Sequence, residues 1–249
     1  MKTIKFFTIM VLVAGMVFTS CKKEPASSTV TSLKVKMQAT NKSFSIYKSA
    51  SVNTPSFVWD TAYLNVSKIE LEAEMMGNES SKDSSSMERE NGKSKDASGT
   101  ELEWKGPKKI DLFNINSFIG SFDLKPGSYD NISITVEAYK SDAGTDPVFY
   151  LSGTYKNATG VNIPIEVIVN EDLKFEIEKE GVMLNAANDY ASLLNVNLNL
   201  LMNGILQSDL DNAMLTNGKI VISSTSNSAL YTTIKENFSK SEESEIKHE

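Results

Sequence analysis

Apolar and polar residues alternate through most of this chain, and the alternation is clearest at residues 131–139. The even-numbered residues from Ile132 to Ala138 are apolar, whereas the odd-numbered residues from Ser133 to Glu137 are polar or charged. Successive side chains of a β-strand point to opposite faces. The pattern therefore predicts a half-buried strand with Ile134 on the buried face.

Similar alternation predicts strands along the rest of the chain. They begin near Leu33, Ala62, Leu102, Ile110, Val148, Val161, Leu173 and Leu194. About nine short strands separated by turn signals are typical of two packed sheets. The expected fold class is mainly β, an antiparallel β-sandwich with two short C-terminal helices.

Four local signals refine this prediction. The apolar positions change parity at Ser67-Lys68, which predicts a β-bulge or bend. Pro164 has no amide hydrogen, which predicts an edge strand. Ser208 predicts the start of a short helix that ends before Asn217-Gly218. A second helix is predicted around Leu230, Ile234 and Phe238, which are spaced four residues apart.

The N-terminal residues have the pattern of an export signal. Two lysines precede an apolar run from Phe6 to Phe18, and Thr19-Ser20-Cys21 follows it. The run is too short to span a bilayer, which needs about 20 residues. We interpret residues 1–20 as a lipoprotein signal peptide and Cys21 as the lipidated residue. The alternative is a plain secreted protein with a free thiol at Cys21.

Composition then divides the remainder of the chain. Residues 21–31 form a polar tether, residues 32–238 form the β-sandwich domain, and residues 239–249 form a charged tail. Within the domain, residues 75–100 are dense in Ser, Lys, Glu, Asp and Asn, which predicts a flexible polar loop. This loop is interpreted either as a displayed binding loop or as a tolerated insertion.

Charge and residue inventory exclude several function classes. Without residues 1–20 the chain has 23 basic and 32 acidic residues, a net charge of about −9. This balance argues against a nucleic-acid partner, which needs a basic face. The only histidine, His248, lies in the charged tail, and the only cysteine is Cys21. No catalytic residue, cofactor or histidine- or thiolate-based metal site is predicted.

Carboxylates are the remaining candidates for chemistry. Glu70, Glu72 and Glu74 share one face of their strand, and Glu101 and Glu103 repeat the pattern nearby. They are interpreted either as a solvated outer face or as the acid pair of a glycosidase.

A weak calcium candidate consists of Asp142 and Asp146, which flank a glycine in a predicted loop. Asp60-Thr61-Ala62 resembles an O-glycosylation sequon, so Thr61 is a possible glycosylation site. The aromatic residues that could stack on sugars if exposed are Trp59, Tyr63, Trp104, Tyr139 and Tyr150. Core packing is the alternative role for these aromatic residues.

The order of motifs resembles a known family. Residues 62–71 (AYLNVSKIEL), the strand at Trp104, residues 107–112 (PKKIDL) and residues 124–129 (LKPGSY) follow one another. Together they resemble the uncharacterised bacterial lipoprotein domain with a transthyretin-like or carboxypeptidase-regulatory-like sandwich. The segment around Cys21 resembles Bacteroidota lipoprotein signals. The resemblance implies a β-sandwich and an outer-membrane location and carries no catalytic residues.

Two functions remain open from the sequence. The first is a lipid-anchored cell-envelope protein, held at the membrane by its N-terminal lipid, that acts as a binding or structural module for a protein or glycan. The alternative is a carboxylate-dependent hydrolase of envelope or extracellular polysaccharide. Exposed aromatic residues along a groove would favour glycan binding, and two carboxylates facing each other in a deep cleft would favour the enzyme.

Overall fold

The computed structural model describes residues 30–46, 56–76, 99–139, 146–186 and 188–249. The strands within these ranges are β1 (Thr31–Thr40), β2 (Ser43–Phe44), β3 (Phe57–Met75), β4 (Gly99–Asp111), β5 (Phe118–Leu124), β6 (Gly127–Ala138), β7 (Phe149–Lys156), β8 (Asn162–Val169), β9 (Leu173–Leu184), β10 (Tyr190–Asn197), β11 (Leu215–Thr216), β12 (Lys219–Ile222) and β13 (Glu242–His248). The helices are α1 (Leu198–Leu201), α2 (Gln207–Asp211) and α3 (Ser228–Asn237), and a 3₁₀ turn (Phe238–Lys240) follows α3.

The strands form two sheets, as predicted for a mainly β chain. The small sheet has the order β13-β10-β1-β5, and the large sheet has the order β11-β12-β8-β7-β3-β6-β9. Strands β2 and β4 pair with β3 outside this path. The buried side chains of both sheets belong to one hydrophobic core. Ile134 is fully buried within it, which confirms the predicted facing of β6.

Strand β3 is the longest strand described and organises the large sheet. Its first part pairs with β7, its second part pairs with β6, and β4 pairs along its other edge. Strands β6 and β7 therefore follow one another along the same edge of β3. Strands β8 and β9 follow one another in the same way, since β8 pairs with β7 and β9 pairs with β6.

A bend divides the large sheet into two halves, at the position where the sequence predicts it. The β3–β4 register shifts between Val66 and Lys68, where Ser67 of β3 stands opposite two β4 residues, Gly106 and Pro107. Both Val66 and Ser67 are buried, so the buried positions of β3 change parity here. The Ser67 hydroxyl donates to the Tyr139 carbonyl at 3.1 Å and accepts the Tyr139 N–H at 3.0 Å. The cis bond between Gly106 and Pro107 lies in the opposite part of β4. The bulge is thus hydrogen-bonded where β6 ends.

Helix α3 and the turn after it cover the core. Leu230, Ile234 and Phe238 are buried, as their spacing predicts. The Phe238 ring contacts Phe149 and Phe175 edge-on, at centroid distances of 5.0 and 6.2 Å. This aromatic contact joins the C-terminal region to β7 and β9. Among the described residues no helix is long and apolar enough to cross a membrane.

Some details of the pairing differ from the prediction. Two pairs are parallel, β1 with β10 and β8 with β12. Because β8 pairs with β7 on one side and with β12 on the other, it is an interior strand and not the predicted edge strand. Pro164 is nevertheless tolerated, because β12 pairs only from Ile165 to Val167, so Pro164 lies just outside that ladder.

The C-terminal elements also differ from the prediction. Helix α2 ends at Asp211 and is followed by β11, so the predicted helix from Ser208 to Leu215 is shorter. The charged segment after residue 238 contains β13, which pairs with β10. Its alternation is hard to read from sequence, because residues on both of its faces are polar or charged.

Candidate functional site

The outer face of one half of the large sheet carries an excess of acidic side chains. This half, here called the acidic half, consists of β4 from Gly99 to Lys105, β3 from Lys68 to Met75, β6 and β9. Nine glutamates and three lysines point outward from it. The glutamates are Glu70, Glu72, Glu74, Glu101, Glu103, Glu137, Glu176, Glu178 and Glu180, and the lysines are Lys68, Lys105 and Lys174.

Strand register arranges these charges in rows across β4, β3, β6 and β9. The row beside the bend, called the lysine row, contains Lys105, Lys68, Glu137 and Lys174. The second row contains Glu103, Glu70, Thr135 and Glu176. The third contains Glu101, Glu72, Ser133 and Glu178, and the fourth contains Gly99, Glu74, Asn131 and Glu180.

The lysine row compensates the second row. Lys68 binds Glu70 at 2.8 Å and Glu137 at 3.0 Å, and hydrogen bonds to these two carboxylates raise its pKa. On β4, Lys105 binds Glu103 at 3.2 Å. On β9, Lys174 binds Glu176 in the same way, at 2.6 Å. Each lysine therefore reaches a carboxylate of the adjacent row.

In the third and fourth rows, no lysine of the described ranges provides such compensation. Their five exposed glutamates are called the acidic patch: Glu72, Glu74, Glu101, Glu178 and Glu180. Within the described part of the chain none of them has an ion-pair partner. The Asn131 amide donates a hydrogen bond to Glu178 at 3.1 Å. The patch is thus a cluster of uncompensated charge on rigid strands.

Two pairs of glutamates face each other directly across β3 and β4. Glu72 is opposite Glu101, and Glu70 is opposite Glu103. These four residues line a shallow depression of about 290 Å³ together with Leu71 and Leu102. Like charges in directly opposite positions destabilise a sheet. The acidic half therefore carries an unfavourable arrangement that packing does not require.

The other half of the outer face, here called the ladder half, is built differently. It consists of β3 from Phe57 to Val66, the β4 residues after the bend, β7, β8 and β12. Tyr63 and Tyr150 stack with their ring centroids 5.1 Å apart. Lys109 lies 3.7 Å above the Tyr63 ring, and Ile168 is opposite Tyr150. The ring faces are therefore occupied by neighbouring side chains.

Two ion pairs join charged side chains in the ladder half. Lys109 binds Asp146 at 2.9 Å, and that hydrogen bond raises the pKa of Lys109. Lys219 binds Glu166 at 2.8 Å. Burial raises the pKa of the Tyr63 phenol, against the opposing effect of nearby Lys109. These contacts bind four strands to one another, which is a structural role.

The structure separates the aromatic candidates by exposure. Trp59 is buried and stacks on Phe57 at 5.2 Å. Trp104 is half-buried, and it packs so closely on Gly120 that a Cβ there would lie 3.1 Å from its ring. Tyr139 is 44 % exposed. The described aromatic residues thus form no exposed row along a groove.

Thr61 lies at a second bulge of β3. The register with β7 shifts between Trp59 and Thr61, and this shift turns both Asp60 and Thr61 outward. Gly153 permits the bulge, since a Cβ there would lie 2.2 Å from the Val58 carbonyl oxygen. Thr61 is therefore accessible, and its glycosylation stays a prediction.

The remaining sequence candidates are only partly covered. Asp146 is bound to Lys109, whereas Asp142 and Cys21 lie outside the described residues, as does most of the polar segment 75–100. No group of three or more acidic, histidine or cysteine side chains within the described ranges is arranged to hold a metal ion. Calcium binding and lipidation therefore stay predictions.

Glu242 is an ionisable group that the sequence analysis missed. It begins β13 and lies against β9, where its carboxylate accepts the Glu176 N–H at 3.3 Å. Burial raises the pKa of Glu242 to about 7; the Glu176 N–H lowers it and the Glu176 carboxylate adds to the rise. The sequence gives no signal for this contact, because Glu242 is one acidic residue among several in a charged segment.

Three members of the acidic patch, Glu72, Glu74 and Glu101, were predicted from the sequence to lie on outer strand faces. The other two, Glu178 and Glu180, were not predicted. Alternation does continue from Lys174 through Glu178 to Glu180, although Lys179 interrupts the apolar side. That continuation was the available signal for the missing part of the patch.

No protein-family model, curated protein or solved structure matches this chain. The resemblance to the bacterial lipoprotein domain therefore stays a prediction.

Proposed function

We propose that this chain is a lipid-anchored cell-envelope protein that binds a positively charged segment of a partner protein across the acidic patch. The observation that carries the proposal is the row arrangement of its outer glutamates. Lysines compensate the row next to them, while no cation among the described residues pairs with the five patch carboxylates. Local arrangements that oppose stability are expected at functional sites.

The chemistry of the patch favours a basic protein segment over a glycan. An extended chain repeats its side chains every two residues, about 6.6 Å, which is the spacing of Glu72 and Glu74 along β3. Alternate lysines or arginines of an extended segment could each meet one carboxylate. A glycan would need free aromatic faces or enclosed polar groups, whereas the Tyr63 ring is covered by Lys109 and Tyr150.

The hydrolase is the second candidate, and one observation favours it. Directly opposite residues in a sheet have Cβ atoms about 4.5–5.5 Å apart, and retaining glycosidases place two carboxyl groups about 5–5.5 Å apart. A catalytic acid also needs an environment that keeps it protonated. The Glu70 and Glu103 side chains are 46 % and 42 % exposed and bound to lysines, which supports binding more than catalysis.

A peptide-binding assay tests the proposal. The full chain in detergent is titrated with a labelled peptide of alternating lysine and serine, about eleven residues long. We expect saturable binding that weakens as salt rises from about 0.05 to about 0.5 M. A peptide with the same composition but all lysines in one block should bind less tightly. Equal affinity for both peptides, or no binding at low salt, would refute the proposal.

Two matched double variants locate the binding surface. Glu72→Gln with Glu101→Gln removes uncompensated charge, and we expect about 3- to 10-fold weaker binding. Glu70→Gln with Glu103→Gln removes carboxylates that lysines already neutralise, so binding should change less than about twofold. Turnover of a polysaccharide that Glu101→Gln abolishes in the folded protein would instead support the hydrolase.

A further inference from the structure

The described chain begins at one end of the sandwich, and exposed apolar side chains lie at that same end. Strand β1 starts at Thr31, opposite Leu124 at the end of β5. The turn after Leu124 leads to Gly127, which starts β6 opposite Leu184. The end of β3 also lies here, since Met75 is opposite Tyr129. This end is called the tether end.

Three side chains at the tether end are apolar and exposed. Val30, Met76 and Met183 are 42, 50 and 63 % exposed. Met76 and Met183 lie on either side of Ser128. The Ser128 carbonyl accepts the Met76 N–H at 2.9 Å, and Ser128 is opposite Met183 in the pairing of β6 with β9. Lys125 is exposed in the turn between β5 and β6. The backbone hydrogen bonds of the sheet therefore hold both methionines at this end.

The length of the chain before Val30 limits how far this end can lie from a membrane. Eight residues lie between Cys21 and Val30, and the nine residue steps from Cys21 to Val30 span about 30 Å when fully extended. With a lipid on Cys21, the tether end can lie no farther than about 30 Å from the bilayer. This step rests on the lipid anchor of the proposed function.

We propose that the tether end contacts the bilayer interface, with Met76 and Met183 as the contacting side chains. Isolated methionines would bind lipid only weakly. A short tether, however, keeps the effective concentration of lipid near the millimolar range, so a weak contact is enough to set an orientation. Unbranched thioether side chains adapt to an irregular surface.

The contact suits zwitterionic lipid. Acidic side chains lie near the tether end, including Glu74, Asp123, Glu180 and Asp189. They disfavour an anionic surface, since a juxtamembrane attraction to anionic lipid requires clustered lysines or arginines. In this orientation the outer face of the acidic half points sideways and not toward the bilayer, so the acidic patch stays accessible to a partner.

Site-specific labelling tests the contact. Acylation would consume the thiol of Cys21, the only cysteine of the chain, so an introduced cysteine gives a single labelling site. Met183→Cys and Met76→Cys place an environment-sensitive dye at the tether end. Ile115→Cys is the control, because Ile115 is 78 % exposed in the turn before β5, at the opposite end.

The lipidated full chain is inserted into phosphatidylcholine vesicles and isolated by flotation. We expect dye emission at positions 183 and 76 to rise about twofold and to be quenched by lipids carrying a spin label near the headgroup. The dye at position 115 should show neither change. Vesicles containing phosphatidylglycerol should give a smaller rise at position 183.

The outcomes separate the two proposals. Failure of the wild-type chain to float overturns the lipid anchor and the contact with it. Normal flotation with the same dye response at positions 183 and 115 overturns the contact alone and leaves the anchor intact. A larger response in anionic vesicles would show that lysines and not methionines make the contact.

Discussion

The two halves of the outer face of the large sheet share strand β3, but their outward side chains differ in how they pair across the strands. In the ladder half, Lys109, Tyr63, Tyr150 and Ile168 cover one another across four strands. In the acidic half, glutamates face glutamates, and five carboxylates have no ion-pair partner in the part of the chain that the structure describes. Cross-strand pairs are the unit by which a sheet gains stability. The comparison shows that one half is built for stability, whereas the other gives up part of it.

The bend at Ser67 marks the boundary between these halves. The lysine row lies directly beside it. Its lysines bind Glu137 within the same row and glutamates of the second row, and none of them binds a glutamate of the third or fourth row. Compensation therefore stops at a definite distance from the bend. This limit separates a structural region from the surface that we propose for binding.

The largest expected effect is a loss of stability at Gly153, the glycine that permits the second bulge of β3 in the ladder half. Gly153→Ala would place a Cβ 2.2 Å from the Val58 carbonyl oxygen and 2.7 Å from the Trp59 Cα. Backbone atoms cannot move aside as a flexible side chain can, so we expect unfolding to become about 2–4 kcal/mol easier. Chemical denaturation measures the change. The outward-facing neighbour supplies the control, since Ser152→Ala should stay within about 0.5 kcal/mol.

A second pair of variants compares a tyrosine within the ladder with one outside it. Tyr150→Ala removes the stack on Tyr63 and the contact with Ile168, and we expect a loss of about 1–2 kcal/mol. Tyr139→Ala removes a 44 % exposed side chain and should cost about 0.5 kcal/mol or less. Equal losses in thermal unfolding would show that the ladder contributes no special stability.

A third prediction concerns pH at the edge of the acidic half, where β13 meets β9. The folded chain holds a proton on Glu242 up to about pH 7, whereas an unfolded carboxyl releases it near pH 4.5. The unfolded state therefore binds fewer protons in this window, and stability falls as pH rises from about 4.5 to about 7. Solvent screening limits the effect to about 1 kcal/mol.

Glu242→Gln isolates this contribution. The variant should lose less stability than the wild type across the same pH window, as followed by denaturant midpoints. Glu243→Gln is the neighbouring control, and it should leave the pH dependence unchanged. If both variants follow the wild-type curve, Glu242 does not titrate in that window.

The smallest effect is a gain in stability. Glu101→Gln removes one of two directly opposed carboxylates, so the free energy of unfolding should rise by about 0.2–1 kcal/mol. The matched variant Glu103→Gln removes the partner of Lys105 as well as the repulsion from Glu70, so its net change should be smaller. A loss of stability in Glu101→Gln would mean that the patch is compensated after all.

The sequence by itself determined where most of the strands lie and which side of each of these strands is buried. Alternation predicted β1, β3 and β6, and the change in parity of the apolar positions predicted the bulge at Ser67. Apolar residues spaced four apart predicted α3. These features depend on the geometry of one segment, where each side chain simply faces the core or the solvent. The local sequence is therefore enough to predict these elements.

The tertiary structure alone decided which strands are neighbours. The parallel pairing of β1 with β10 joins residues more than 150 positions apart, and β13 completes the small sheet although most of its residues are charged. Register then decided the candidate site. Glu72, Glu101 and Glu178 come from three strands, and each alone is an ordinary exposed residue. Alternation shows which face of a strand is buried but does not identify the strand that pairs with it, because strand pairing depends on how all the buried faces pack together.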